Sequence, residues 1–339
     1  MSQLRTKRTK RRKHSRRHLA LRIIRDVRNH PANSDAPNSA TLRAVAWQLR
    51  KRIGRQPLTM SAFGMDLQFP GSSGSASNLV YFGECYEWET INFIRSYLQP
   101  GDIVVDVGAN VGMFTYAALQ RVLPGGQVHA FEPTPWAAQT IHHNVDRNRV
   151  GHRVHVYEFA ASDKVGTARF TADLDVSNHM EFGNLKSNYP KSDFIEVRIA
   201  PLDSLLPEEA TLSLAKIDVE GAGTKVLTGF LRHLENANPP VILIEAHDHS
   251  LRKMGSSRDE AMALLADNGY EVLVFDVDAH RLERPPATWG ADVVAVHAKY
   301  REAVERRLKP RSGLGPSNNG LSPGDRASRS PSPAPANEP

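Results

Sequence analysis

The run Asp106-Val107-Gly108-Ala109-Asn110-Val111-Gly112 has the residue types and spacing of a ligand loop. A β-branched stretch, Ile103 to Val107, leads into two glycines four residues apart. A helical pattern follows at Met113, Phe114, Tyr116, Ala117 and Leu119. A strand that turns through glycines onto a helix N-terminus lets backbone come close to a ligand and offers it free N–H groups. The spacing is Gly-x-x-x-Gly, not the Gly-x-Gly-x-x-Gly of dinucleotide sites. Asp106 stands two residues before the first glycine. A carboxylate there repels a pyrophosphate and suits a ligand carrying an ammonium group, such as the methionine end of S-adenosylmethionine. A second strand, Gln127 to Phe131, ends in Glu132, where nucleoside-binding α/β folds hold a ribose diol. A further strand, Leu214 to Gly221, carries Asp218 and Glu220 at its acidic carboxyl end. Two residues apart on a strand, they are expected on one face. Two carboxylates on one buried face are costly unless they serve a site. Glu245, His247, Asp248 and His249 follow the strand Val241 to Ile244 as a base, as metal ligands or as an exposed polar loop; no metal site is defined.

A mostly parallel, doubly wound sheet is what brings such strand ends together, and alternating strand and helix patterns predict one. A helix with Trp88, Ile91, Ile94 and Leu98 on one face stops at Pro100-Gly101, directly before the first core strand. Thr134 and Pro135 suit the N-cap and first position of the helix after Glu132. Strands are expected over Val154 to Phe159, Thr167 to Phe170, Phe194 to Ile199, Val272 to Phe275 and Asp292 to Val296, the last a hairpin-like neighbour. Ser177 to Lys191 reads as a polar insertion, and Gly71 to Ser77 as a flexible loop. Ser257-x-x-Glu260 is a capping box. Residues 41–53 form an amphipathic basic helix with Leu42, Val45, Leu49 and Ile53 on its apolar stripe. Packing of that stripe on the body is expected, with membrane contact as the alternative, since Trp47 falls on the polar side.

The chain has 339 residues, 40% hydrophobic and 24% charged, ordinary for a globular protein. Its one cysteine, Cys85, cannot form an internal disulfide, so a cytoplasmic setting is expected. No apolar run reaches the roughly 20 residues that span a bilayer. The net charge of +6 is uneven. Residues 1–28 hold twelve Lys/Arg against Asp26 alone, whereas the rest holds 31 against 36 Asp/Glu. Nucleic-acid binding is therefore not expected of the acidic body, and the basic arm reads as a disordered, solvated segment, with attraction to an anionic membrane or to RNA as the functional alternative. The expected organisation is a basic arm (1–30), an N-terminal extension (31–79), one catalytic domain (80–300) and a Pro/Ser-rich tail (309–339).

Taken together, Asp106 to Gly112 with Thr115, Phe131 to Pro135, Ile141-x-x-Asn144, Leu202-Asp203 and Lys216-Ile217-Asp218-Val219-Glu220-Gly221 resemble the FkbM family of S-adenosylmethionine-dependent methyltransferases. The resemblance covers about residues 80–300 in order and spacing. It implies a Rossmann-like class I sheet of seven strands, the last antiparallel. It also implies methyl transfer to a hydroxyl of a sugar, glycolipid or secondary metabolite, with a small-molecule or glycan acceptor. Gly108, Ala109, Asn110 and Gly112 would contact the methionine part of the donor, with Asp106 beneath. Glu132 would bind the ribose, and Ser162 and Asp163 would lie beside the adenine. Asp218 would face the reacting methyl; beside the resemblance, Glu220, as stand-in for a missing acid, and His247, as the second choice of base, are this chain's own catalytic candidates. Tyr86-Glu87 matches an upstream pair that closes over the donor. The family often reads Gly-Ala-Glu where this chain has Gly221-Ala222-Gly223, so one carboxylate is missing. A nicotinamide-dependent dehydrogenase or epimerase, and a non-catalytic binding protein of the same fold, remain the competing readings.

Overall fold

The computed structural model describes residues 21–53, 57–71, 73–171, 180–181, 194–286, 290 and 292–309. The basic arm before residue 21, most of the polar insertion and the tail from residue 310 lie outside the described residues. Helix α1 covers residues 21–29 and α2 covers Pro37–Ile53. A hairpin of β1 (Leu58–Ala62) and β2 (Met65–Phe69) follows, then α3 (Gly74–Phe82) and α4 (Trp88–Tyr97). The core alternates β3 (Ile103–Val107), α5 (Met113–Val122), β4 (Gln127–Phe131), α6 (Pro135–Arg147) and β5 (Val154–Tyr157). A side sheet holds β6 (Ala160–Ala161), β7 (Gly166–Thr171), β8 (Met180–Glu181) and β9 (Phe194–Ala200), and α7 (Leu202–Leu205) returns the chain to the core. Then come β10 (Leu214–Ile217), α8 (Gly223–Thr228), α9 (Leu231–Glu235), β11 (Val241–Glu245), α10 (Asp248–Lys253) and α11 (Arg258–Asp267). The chain closes with β12 (Tyr270–Asp276), β13 (Arg281–Glu283), β14 (Asp292–His297) and α12 (Arg301–Leu308).

The main sheet has eight strands in the order β13-β12-β14-β11-β10-β3-β4-β5. Strands β5, β4, β3, β10 and β11 run parallel. β14 is antiparallel to both β11 and β12. This is the expected mostly parallel seven-stranded arrangement with its last strand reversed, plus the short edge strand β13. The expected hairpin-like relation of β14 to β12 gains a second partner, because β14 inserts between β12 and β11. From β3 the chain adds β4 and β5 on one side, then returns to add β10 and β11 on the other. The carboxyl ends of β3 and β10 therefore open a crevice, where open α/β sheets bind ligands.

Two local readings change. Gly71 to Ser77 is not a loop along its length: Ser73 caps α3, its Oγ accepting from Ala76 N, and Ser75, Ala76 and Ser77 are buried. Small side chains there serve close helix contact, which composition alone reads as flexibility. Helix α2 packs through Ala40, Ala44 and Trp47, and the Trp47 Nε1 donates to Ser77 Oγ at 3.0 Å. Leu42, Val45 and Leu49 are 71%, 42% and 53% exposed. One tryptophan following two buried alanines buries a large apolar surface and needs a partner for its N–H, which α3 supplies. Periodicity weighs three aliphatics above one indole and selects the wrong face.

The hairpin and α6 are joined as if by one more strand pair. Asn144 Oδ1 accepts from Gln68 N at 2.7 Å, and its Nδ2 donates to Gln68 O at 3.0 Å. Asn148 does the same for Asp66 at 2.9 and 3.0 Å. Among the described residues no helix is long and apolar enough to cross a membrane.

Candidate active site

The loop after β3 lies against the end of β10. Gly108 has φ +84°, and a Cβ there would sit 1.9 Å from the Asp218 carbonyl oxygen, so only glycine fits. Gly108 N and Ala109 N both donate to Phe131 O at 3.0 Å, which fixes the loop to β4 as well. Asn110, at φ +50°, donates its N–H to Glu132 Oε2 at 2.8 Å, and Thr134 N donates to Oε1 at 2.7 Å. Burial pushes the Glu132 pKa up and these N–H groups oppose it. Each oxygen keeps a lone pair for a hydroxyl donor.

These groups border a first cavity, whose apolar side is Phe131, Phe159, Ala160, Ala161 and Phe170. Helix α3 closes it with Ser75 and Asn78, and Tyr86 and Glu87 complete the wall. Asp106 sits beneath the loop, fully buried. Thr115 Oγ1 donates to its Oδ2 at 2.5 Å, and Oδ1 has no hydrogen-bond partner among the described residues. Burial raises the Asp106 pKa; Lys216, its register neighbour on β10, draws it down. Lys216 is the one basic residue among the described lining residues, and its Nζ is 2.7 Å from Asp218 Oδ2. A wall of carboxylates and aromatic rings fits a cationic nucleoside and repels a pyrophosphate. S-adenosylmethionine is therefore matched by the residues present.

A second cavity of 480 Å³ adjoins the first and shares Glu87, Lys216 and Asp218 with it. Its floor includes Phe93 and Phe275, and its rim carries Glu89, Glu245 and Asp292. Glu245 and Asp292 face each other in the β11–β14 register. Like charges so placed repel, and a fold retains them where a site needs them. Burial, then the charges of Asp218 and Glu220, push the Glu245 pKa up to about 8. Its proton is donated to Asp218. Burial alone would raise the Asp218 pKa, but Lys216 and that hydrogen bond hold it below the ordinary value. Glu87 is raised to about 7, chiefly by burial, against the pull of Lys216.

The expected site residues divide. Asp106, Gly108, Ala109, Asn110, Gly112, Glu132, Asp218 and Glu220 converge on the first cavity or the loop beneath it. Glu220 arrives by another route than strand alternation: β10 ends at Ile217, and Glu220 turns in at φ +49°. His247 is exposed, 3.4 Å from Glu245 Oε1 at the cleft rim. Ser162 and Asp163 do not line the cavity. Ser162 is buried with its N–H on Ala200 O and its Oγ on Asp163 Oδ1 at 3.0 Å, because β6 pairs with β9 and carries it away. Phe159 to Ala161 take that wall instead. Gly223 packs on β11, where a Cβ would meet Ile244 Cδ1 at 3.3 Å, so the missing acid leaves a tight glycine contact.

Sequence reasoning missed Ser75, Asn78, Phe170, Asp292 and the role of Lys216. Lys216 carried a signal, since it precedes Asp218 by two residues and shares its strand face. Asp292 carried none, because only the insertion of β14 brings it here. Among the described residues no three of His, Cys, Asp and Glu are arranged to hold a metal ion.

Residues 106–272 match the model of the methyltransferase FkbM domain. The chain is 31% identical over 234 residues to the 31-O-demethyl-FK506 methyltransferase FkbM of Streptomyces tacrolimicus, spanning 60% of this chain and 82% of that one. Among solved structures it is similar to Aeropyrum pernix fibrillarin with bound S-adenosyl-L-methionine, at TM-score 0.35 and 13% identity over 61% of this chain and 73% of that one. It is also similar to the precorrin-6y C5,15-methyltransferase of Geobacter metallireducens, at TM-score 0.33 and 17% identity over 62% and 85%. The fold assignment rests on the strand order above.

Proposed function

The chain belongs to the FkbM family of S-adenosylmethionine-dependent methyltransferases, and from that premise we propose that it methylates a hydroxyl oxygen of a sugar, glycolipid or secondary metabolite. The observation that carries this reading is Asp218, common to both cavities and held between Lys216 and Glu245. The relative from Streptomyces tacrolimicus, named for a demethylated oxygen at its substrate, supports the choice of oxygen.

When bound, S-adenosylmethionine supplies an electrophilic methyl group, so the protein's task is mainly alignment. Glu132 would hold the ribose diol, and Phe131, Phe159 and Phe170 would flank the base. Asp106 and Glu87 place negative charge about the cation. Asp218 orients the acceptor hydroxyl and takes its proton as the oxygen–methyl bond forms, with Lys216 fixing the carboxylate. Glu245, when ionised, accepts the proton from Asp218, and His247 at the rim carries it toward solvent. Glu220 adds charge on the donor side. A nicotinamide reading fails for want of a free cation for a pyrophosphate among the described lining residues.

Calorimetry should register binding of S-adenosylhomocysteine and none of NAD. Asp218→Asn should bind S-adenosylhomocysteine as the wild type does. It should lose at least about 100-fold in methyl transfer across a panel of free sugars, glycolipids and polyketide alcohols. Full turnover by a folded, donor-binding Asp218→Asn would sink the assignment.

A further inference from the structure

We propose that the outer face of α2 docks this protein on an anionic lipid bilayer, a property separate from methyl transfer. Leu42, Val45 and Leu49 are exposed on that face. They are not a packing surface left bare, because Ala40, Ala44 and Trp47 already complete the contact of α2 with the body. The apolar stripe is flanked by exposed Arg43 and Arg50. Arg28 of α1 donates to Asn38 of α2 at 2.6 Å, so the two helices present their charges as one surface. The first 53 residues hold sixteen Lys/Arg against Asp26 and Asp35. An aliphatic stripe on a helix without acids has the chemistry of an interfacial helix, its leucines entering the acyl boundary and its arginines meeting lipid phosphates.

Charge decides the occupant. A second copy seated on this face would set arginine against arginine, and a bilayer carrying acidic headgroups would neutralise them. The docked helix lies one layer from the donor cavity, since Trp47 bonds Ser77 of α3 and α3 supplies Ser75 and Asn78 to that cavity.

The test is co-sedimentation of the full chain with phosphatidylcholine vesicles, with and without phosphatidylserine. The wild type should partition at least about tenfold more onto the serine-containing vesicles. The triple variant Leu42→Gln, Val45→Gln, Leu49→Gln should lose about tenfold or more of that binding. Its affinity for S-adenosylhomocysteine should not change, which certifies the fold and separates this outcome from any failure of the catalytic reading. Equal vesicle binding by the triple variant overturns the proposal, because the arm alone would then account for it. Absence of wild-type binding to phosphatidylserine vesicles overturns it as well. So does a wild-type dimer that the triple variant dissociates, which would make the face a self-interface.

Discussion

At the scale of single residues the site is a set of carboxylates with separated proton affinities. Asp218 is held ionised by Lys216, while burial and neighbouring charge hold the proton on Glu245 up to about pH 8. If the ionised pair is the base, kcat/KM rises with pH to a plateau above about 8. Glu245→Gln should remove that rise and lower the plateau. The same shift has a stability consequence with a defined sign. The folded state holds this proton between the ordinary 4.5 and about 8, and the unfolded chain does not. Stability from Glu245 is therefore lost as pH rises through that window, and Glu245→Gln should melt higher than the wild type at the alkaline end. Glu87 gives a second titration. Its carboxyl ionises near 7, and it lines the cavity proposed for the cationic donor. The ratio of S-adenosylmethionine to S-adenosylhomocysteine affinity should rise with pH through 7, since only the former is positively charged. A pH-independent ratio would remove Glu87 from the donor's field. Asp106, Gly108, Glu132 and Asp218 were legible because each stands at a strand end marked by a glycine turn or a proline.

At the scale of elements the two faces of α2 separate packing from surface. Trp47→Ala deletes a buried indole and its hydrogen bond to Ser77, so a loss of about 3–5 kcal/mol is expected in chemical denaturation. Donor affinity should fall with it, because α3 forms part of the donor wall. Leu42→Ala on the exposed face should stay within about 0.5 kcal/mol of the wild type. A reversed ranking would mean that the apolar stripe is the packed one. This helix was half legible: its end at Ile53 follows from periodicity, but its start at Pro37 lies four residues before the apolar pattern, and its buried face depends on which neighbour accepts an indole N–H. β10 shows the same division. Its position was evident from sequence, while its end at Ile217 and the turn at Glu220 depend on the loop from β3 lying across it.

At the scale of the molecule the extension belongs to the catalytic body. A boundary at residue 80 cuts through α3 and removes Ser75 and Asn78 from the donor cavity. The clamp that holds the extension is Asn144, fully buried, with both amide groups engaged by the Gln68 backbone. Asn144→Ala takes the amide partner from the half-buried Gln68 N–H and carbonyl and leaves a gap where Asn144 was buried, and a loss of about 2–4 kcal/mol is expected in urea unfolding. An effect under about 0.5 kcal/mol would show the hairpin to be ornamental. This asparagine stands within the sequence motif that resembles the family, and its work is architectural rather than catalytic.

The sequence by itself determined the order of the core strands and helices from β3 to β11, the glycine loop, the acidic strand ends and the class of donor. Those features are local, written in periodicity, in turn residues and in the sign of a charge beside a loop. Tertiary structure decided which carboxylates meet. Insertion of β14 beside β11 sets Asp292 against Glu245, and pairing of β6 with β9 removes Ser162 and Asp163 from the cleft. It also decided that α2 buries its tryptophan and shows its leucines to solvent. Side-chain period fixes which residues share a face, and only the neighbouring element fixes what that face meets.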